Sequence, residues 1–443
     1  MSEKDSIRQW LQENSIEDVE AFVPDMAGAA RGKLLPADKF GSGELKMPEG
    51  IFAQTISGDY VEDEDNVEDR DMLLKPDATT LRPVPWATDP AASIFLDCYM
   101  RDGTPVVTSP RWVLRRVLEM YREQGWTPVV APEVEFYLIN PHSDPFEEVE
   151  PPKGRLGRTE TAKQPYSIDT MNDFDPFIND VYNYCEAQGI RIDTLSQEMG
   201  PAQFEINFLH GDAVDLADQV FLFKRTVREA AIAHEMHATF LARPISSEAS
   251  SALHIHQSVV DKDGKNIFSM PNGAPSPLFF HFIGGLQKYL PQALLVFAPY
   301  PNSYRRFLRY WASPMNLAWA VDNRTVGLRV PDSGPEARRV ENRIAGSDVN
   351  PYLALAATLA CGYLGMIEGI DPDEAIEGSA YELPFSLHRH MYESIGAFEN
   401  SKAMQQTLGE RFVKLYASVK AQECYAFETI VTPWEREVLM FNV

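Results

Sequence analysis

Cysteine is scarce in this chain: Cys98, Cys185, Cys361 and Cys424 are all that 443 residues contain, and no two form a CxxC pair. That excludes a disulfide-stapled scaffold, and scattered thiols suit a reducing, cytoplasmic setting. Positive charge is short as well. Lys and Arg number 40 against 65 Asp and Glu, a formal net charge of −25. A general nucleic-acid binder needs clustered basic residues, so none is expected; an acidic surface favours small cations instead. Long apolar runs are missing too. The most apolar stretch, "PYLALAATLACGYLGM", is broken by Thr358 and Gly362 and falls short of the roughly 18–20 residues of a membrane span. The opening "MSEKDSIRQW" has no apolar segment of a secretory signal. No membrane partner is expected.

Several catalytic signatures are also absent. There is no GxxxxGK[ST] or GxGxxG loop to cradle phosphates, no GxSxG elbow and no Cys–His motif for covalent catalysis. No internal repeat is evident. With 44% hydrophobic residues the chain can bury a large core, either as two domains or as one large one.

The pattern that remains alternates helical and strand-like segments, an α+β or α/β reading. The spacing predicts a helix over "DSIRQWLQEN", a strand over "VEAFVPDM", a solvated acidic loop over Asp59 to Asp71, and a strand over "SIFLDCYM". At Ser109-Pro110 an N-cap and a first-turn proline open a helix closed by Gly125. On it Trp112, Val113, Val117, Met120 and Tyr121 fall near one face. A domain boundary is expected near residue 105.

Beyond it, short apolar strands carry polar residues that a core does not want. In "APEVEFYL", Glu133 and Glu135 point to one face and Val134, Phe136 and Leu138 to the other. "SQEMGPAQFEINF" carries Glu198 and Glu205, "SSALHIHQS" puts His254 and His256 on one face, and "EARRVENRIAG" alternates Arg339, Glu341 and Arg343. Converging carboxylates raise one another's pKa unless a cation lies between them. Oxygen ligands with one imidazole suit Mg2+ or Mn2+ better than a structural zinc. Arg305, Arg306, Arg309, Arg324, Arg329 and Arg338 add guanidinium groups that grip carboxylate or phosphate. The residues alone favour metal-assisted phosphoryl transfer involving an anionic substrate.

These segments, in this order, resemble the glutamine synthetase family over almost the whole chain. The resemblance implies an N-terminal β-grasp domain (1–105), a catalytic α/β domain (106–443), and a homo-oligomer, commonly a double-ring dodecamer with sites between subunits. It implies one metal site from Glu135, Glu198 and Glu205 and a second from Glu133, His254 and Glu341. Arg306 and Arg343 match the positions that hold glutamate and its activated γ-carboxyl. His256, Ser258, Arg329 and Arg339 match the ATP side, and Arg324 faces the transferred phosphate. The implied cofactors are ATP and Mg2+ or Mn2+.

Three departures concern the nitrogen nucleophile. Ammonia-using members carry a glutamate where this chain has Ala312; the "DGSS" motif is missing, with Asp59 a loose substitute; and Ser250 and Ser251 stand where glycines are usual. The chain therefore resembles most the γ-glutamylamine ligases, ATP-dependent enzymes that join the γ-carboxyl of glutamate to a primary amine. Tyr310 and Trp311 beside Ala312 raise the expectation of an aromatic-walled amine site, and the acidic 59–71 loop could favour a polycation. An ammonia-using glutamine synthetase, a catalytically silent relative and a guanidino kinase are the alternatives.

Overall fold

The computed structural model describes residues 3–443 apart from Ser42, Ser143, Pro145, Ala162 and Ala312. Ala312, the position expected to replace an ammonium-binding carboxylate, thus lies outside the described residues. Two sheets organise the chain. The first contains β1 (Asp18–Pro24), β2 (Ala30–Pro36), β3 (Leu45–Pro48), β4 (Asp71–Pro76), β5 (Arg82–Pro83) and β6 (Ala91–Tyr99). Its order is β2-β1-β6-β4-β3 with β5 beside β6, and only β1 and β6 run parallel. The expected N-terminal helix spans Glu3–Glu13 and buries Ile7 and Leu11, one turn apart on one face.

The second sheet holds β7 (Trp126–Ile139), β8 (Ile192–Gln197), β9 (Gln203–Phe208), β10 (His237–Thr239), β11 (Leu253–Asp261), β12 (Trp319–Val321), β13 (Leu328–Val330) and β14 (Val340–Asn342). The order is β12-β13-β14-β11-β7-β9-β8, with β10 paired to β7. One face is the core: Val134, Phe136 and Leu138 are fully buried, and the Phe136 ring packs on Phe177, Phe204, Phe223 and Phe240. The opposite face carries the acids. Nearly antiparallel sheets with helices packed on one side make this a mixed α/β architecture.

The apolar stretch near residue 351 forms the helix Pro351–Glu368, long and apolar enough for a membrane span but mostly buried among other elements. It crosses the helix Pro277–Phe297 at glycines. A Cβ on Gly285 would lie 2.6 Å from Gly365 Cα, so only glycine allows that approach.

Two details differ from expectation. On the helix Pro110–Glu123 the buried stripe is Val113, Leu114, Val117 and Tyr121, while Trp112 is only half-buried. The expected face leaves out Leu114 and, on the polar side, the buried Arg111. It pairs with Asp77 just after β4, with Asp97 on β6 and with Asp218 from the helix Ala213–Ala233. These ion pairs tie residues 77 and 97 to helices that lie past residue 105. The acidic 59–71 run is not wholly solvated either. Arg411, from the helix Glu410–Glu428, holds Asp63 at 2.8 Å and Glu49 at 2.6 Å.

Candidate active site

Cross-strand register builds this site. Glu133 on β7 stands opposite His254 on β11, and Glu135 opposite Glu205 on β9. His256 pairs with Glu341 on β14, and Glu341 with Arg329 on β13. Directly paired residues have neighbouring Cβ atoms on the same face. Five adjacent strands, β13-β14-β11-β7-β9, therefore line up Arg329, Glu341, His256, His254, Glu133, Glu135 and Glu205 in one patch. Glu198, in the turn between β8 and β9, joins it. Ligand atoms of Glu135, Glu198 and Glu205 lie within 4.8 Å of one another, as do those of Glu133, Glu205 and His254.

The patch divides electrostatically. Burial raises Glu135, aggravated by Glu198, to about 8. Burial and then Glu133, Glu135 and Glu198 push Glu205 to about 10, and burial raises Glu198 too. Arg306, Arg343 and Arg324 oppose these shifts, but burial and mutual repulsion outweigh them. On the other side burial opposes ionisation of Glu133 and Glu341 but loses: hydrogen bonds from His254 and His256 hold Glu133 far below the carboxylate range, and Arg343 and both histidines hold Glu341 at about 2. The fit to a hard divalent cation follows from the donors themselves. Three close oxygen ligands with unmet charge suit Mg2+ or Mn2+. Of the expected second set, His254 Nδ1 lies 3.2 Å from Glu133 and 3.9 Å from Glu341, while the close group that holds both Glu133 and Glu341 takes His256 as its imidazole.

His256 touches Glu133 as well, its Nε2 2.9 Å from Oε1. Its tautomer decides its role. Arg339 Nε, which can only donate, meets His256 Nδ1 at 3.2 Å, so Nδ1 accepts and the proton sits on Nε2 facing Glu133. That leaves His254, held neutral with burial pushing its pKa down to about 4, as the better metal imidazole. His256 and Arg339, with Ser258, line a cavity of about 410 Å³ against Glu133 and Asn207.

The arginines ring the patch. Arg306 is 1% exposed, and its Nη1 donates to the Ile344 carbonyl at 2.7 Å. Arg343 pairs with Glu341, and Arg329 bridges Glu341 at 2.8 Å and Asp322 at 2.6 Å. The Nε atoms of Arg306, Arg329 and Arg343 are all buried without a hydrogen-bond partner. Buried donors are normally satisfied, so three such atoms around one patch point to an anionic ligand. Arg324 is exposed, and its charge is felt at Glu198.

Ser250 lies against the first cluster. Its Oγ meets Ser313 Oγ at 2.7 Å, and its carbonyl accepts from Gln203 Nε2, which also reaches Glu135. Tyr310 and Trp311 engage different partners. Tyr310 is 66% exposed and hydrogen-bonds Glu382, whereas Trp311 stacks on Arg243 with 4.5 Å from guanidinium to ring centroid. Gln203 and Asn207 went unnoticed in the sequence, although both share the face of Glu205 by the same two-residue alternation; Asn207 Nδ2 donates to Glu133 at 3.2 Å.

The description "Glutamine synthetase, catalytic domain" matches residues 107–439. The gamma-glutamylputrescine synthetase PuuA of Escherichia coli is 35% identical over 96% of this chain and 92% of its own length. A glutamate–isopropylamine ligase from Pseudomonas sp is 31% identical over 97% of this chain and 96% of that one. The solved structure of GmaS without ligand superposes with a TM-score of 0.83 at 27% identity, covering 97% of this chain and 98% of the other. A strand patch of acids and imidazoles ringed by arginines, together with likeness along nearly the full length, leads to one assignment: the chain belongs to the glutamine synthetase family.

Proposed function

We propose that this protein is an ATP-dependent ligase that joins the γ-carboxyl of L-glutamate to a primary amine through a γ-glutamyl phosphate. The observation that carries this reading is the close carboxylate cluster beside three arginines whose Nε donors are buried and unfilled. Names of relatives support the amine: PuuA is a gamma-glutamylputrescine synthetase, and another relative a glutamate–isopropylamine ligase.

In the first step a γ-carboxylate oxygen of glutamate attacks the terminal phosphorus of ATP and ADP leaves. In the second the amine nitrogen attacks the acyl carbon, inorganic phosphate leaves, and the nitrogen loses a proton. Glu135, Glu198 and Glu205 would hold one divalent ion and Glu133, His254 and Glu341 another. When bound, such ions neutralise charge on the phosphoryl oxygens. Arg306 and Arg343 hold glutamate and its activated carboxyl through their free Nε donors, and Ser250 shapes the same loop. His256, Ser258, Arg329 and Arg339 form the ATP side, and solvent-exposed Arg324 closes on the transferred phosphate. Most of the rate enhancement is therefore positioning and preorganised charge.

Residues 1–105 form a β-grasp domain and 106–443 the catalytic domain; mixed pairing in the first sheet, with one parallel pair, supports the former. The subunits assemble as a double-ring dodecamer in the cytoplasm, where four buried free thiols would persist.

A panel of mono-, di- and polyamines with glutamate, ATP and Mg2+, read by mass spectrometry, tests the reading. At least one amine is expected to give a γ-glutamyl product at concentrations where ammonia gives little glutamine. Glutamine from ammonia, with no adduct from any amine, would overturn it.

A further inference from the structure

Near the first carboxylate cluster lies a cradle for a cation, where Trp311, expected above as a wall of the amine site, meets Glu248 and Ser247, which have no role above. Glu248 Oε2 is buried and makes no hydrogen bond; the ammonium of Lys163 lies 3.1 Å from it as an ion pair without hydrogen-bond geometry. The same ammonium sits 3.4 Å from the Ser247 carbonyl oxygen and 5.7 Å from the centre of the Trp311 ring. A carboxylate, a carbonyl and an aromatic face together are what an alkylammonium needs.

The cradle is built independently of Lys163. Arg243 stacks on Trp311 and donates to the carbonyls of Ser246 at 2.7 Å and Arg305 at 2.9 Å, tying the two segments together. Lys163 comes from a separate loop, and its side chain stays 50% exposed. An ion pair of that exposure is weak, so an incoming ammonium can displace it. The cradle also connects to the reacting centre. Four residues after Glu248, the Ala252 N–H donates to Glu135 at 2.8 Å, which limits the separation along the chain to about 14 Å. The buried Tyr137 hydroxyl bonds the Ala249 carbonyl at 2.7 Å and feels the charges of Glu135, Glu198 and Glu248.

Chemistry then selects the substrate. The attacking nitrogen must be neutral to use its lone pair, whereas a carboxylate and an aromatic face favour the charged ammonium. Such a cradle suits a nitrogen that does not react. Building on the amine-ligase reading, we infer that Glu248, the Ser247 carbonyl and Trp311 bind the distal ammonium of a primary α,ω-diamine, and that Lys163 occupies this subsite as an internal stand-in until the substrate arrives.

The experiment compares an α,ω-diaminoalkane with the n-alkylamine of the same carbon count, measuring kcat/KM for each. Wild type should prefer the diamine. Glu248→Gln should lower diamine kcat/KM about tenfold or more, since a charged hydrogen-bonding partner is lost, and leave the monoamine within about twofold. Lys163→Met should raise diamine kcat/KM by up to about fivefold through a lower KM, with glutamate KM unchanged. Equal use of the two amines by wild type, or an equal fall for both in Glu248→Gln, would overturn the inference and leave the ligase reading standing. A wild type that forms no adduct with either amine would overturn the inference, and the ligase reading falls with it only if the whole amine panel also gives none.

Discussion

Glu341→Ala is expected to abolish turnover and to destabilise the protein by about 3–5 kcal/mol, the usual cost of leaving buried charges without their partner. Glu341 is 1% exposed, and both its oxygens are engaged, one by Arg329 at 2.8 Å and the other by Arg343. Its removal leaves the buried Arg343 without its carboxylate, strips Arg329 of one of two partners and takes away a charge 3.9 Å from His254. The pH dependence follows from its lowered pKa. A carboxyl held at about 2 rather than 4.5 contributes stability that is complete above about pH 4.5 and is lost as pH falls toward 2. In denaturant titrations the wild type and Glu341→Ala should therefore differ most above pH 4.5 and converge in acid. Glu341→Gln, which keeps shape and loses charge, should fall between them. A variant as stable as wild type at pH 7 would contradict the assigned network.

Glu205→Gln is expected to behave in the opposite way. Turnover should fall on the order of 10³-fold or more, the scale of losing a key electrostatic contact to the reacting group, yet stability in chelator should hold or rise. The reason is the sign of the shift. Burial and three neighbouring carboxyls push Glu205 to about 10, so its contribution is complete below about pH 4.5 and is lost as pH rises toward 10. Without a divalent ion the wild type should weaken in alkali, and added Mg2+ should raise its Tm more at pH 9 than at pH 6, because ligands must be deprotonated to bind. Glu205→Gln should lose most of that Mg2+ response. A large Mg2+-independent drop in stability would show that Glu205 serves packing rather than an ion.

Glu341 and Glu205 sit on one sheet face with two strands between them and look alike in sequence. What separates them is register: β14 places Glu341 beside Arg329, whereas β9 places Glu205 beside Glu135. Alternation makes the acidic faces of "APEVEFYL" and "QFEINF" legible, and the same rule would have found Gln203 and Asn207. It says nothing of which strand lies next to which. Long-range ion pairs were beyond sequence reasoning altogether. The Arg111 cluster and the Arg411 clamp on Glu49 and Asp63 join residues from distant segments, and a helix pattern reads Arg111 as a surface charge. The close crossing at Gly285 and Gly365 is hidden for the same reason. The split between His254 and His256 needed Arg339, whose position beside one ring nitrogen fixes the tautomer.

The most direct test of the account follows an oxygen atom. With glutamate labelled with 18O in its γ-carboxyl, plus ATP, Mg2+ and an accepted amine, one 18O is expected in each inorganic phosphate released, matched by one γ-glutamyl adduct retaining the other. Phosphate that carries no label while the adduct forms would contradict an acyl-phosphate route and, with it, the role given to the carboxylate and arginine patch.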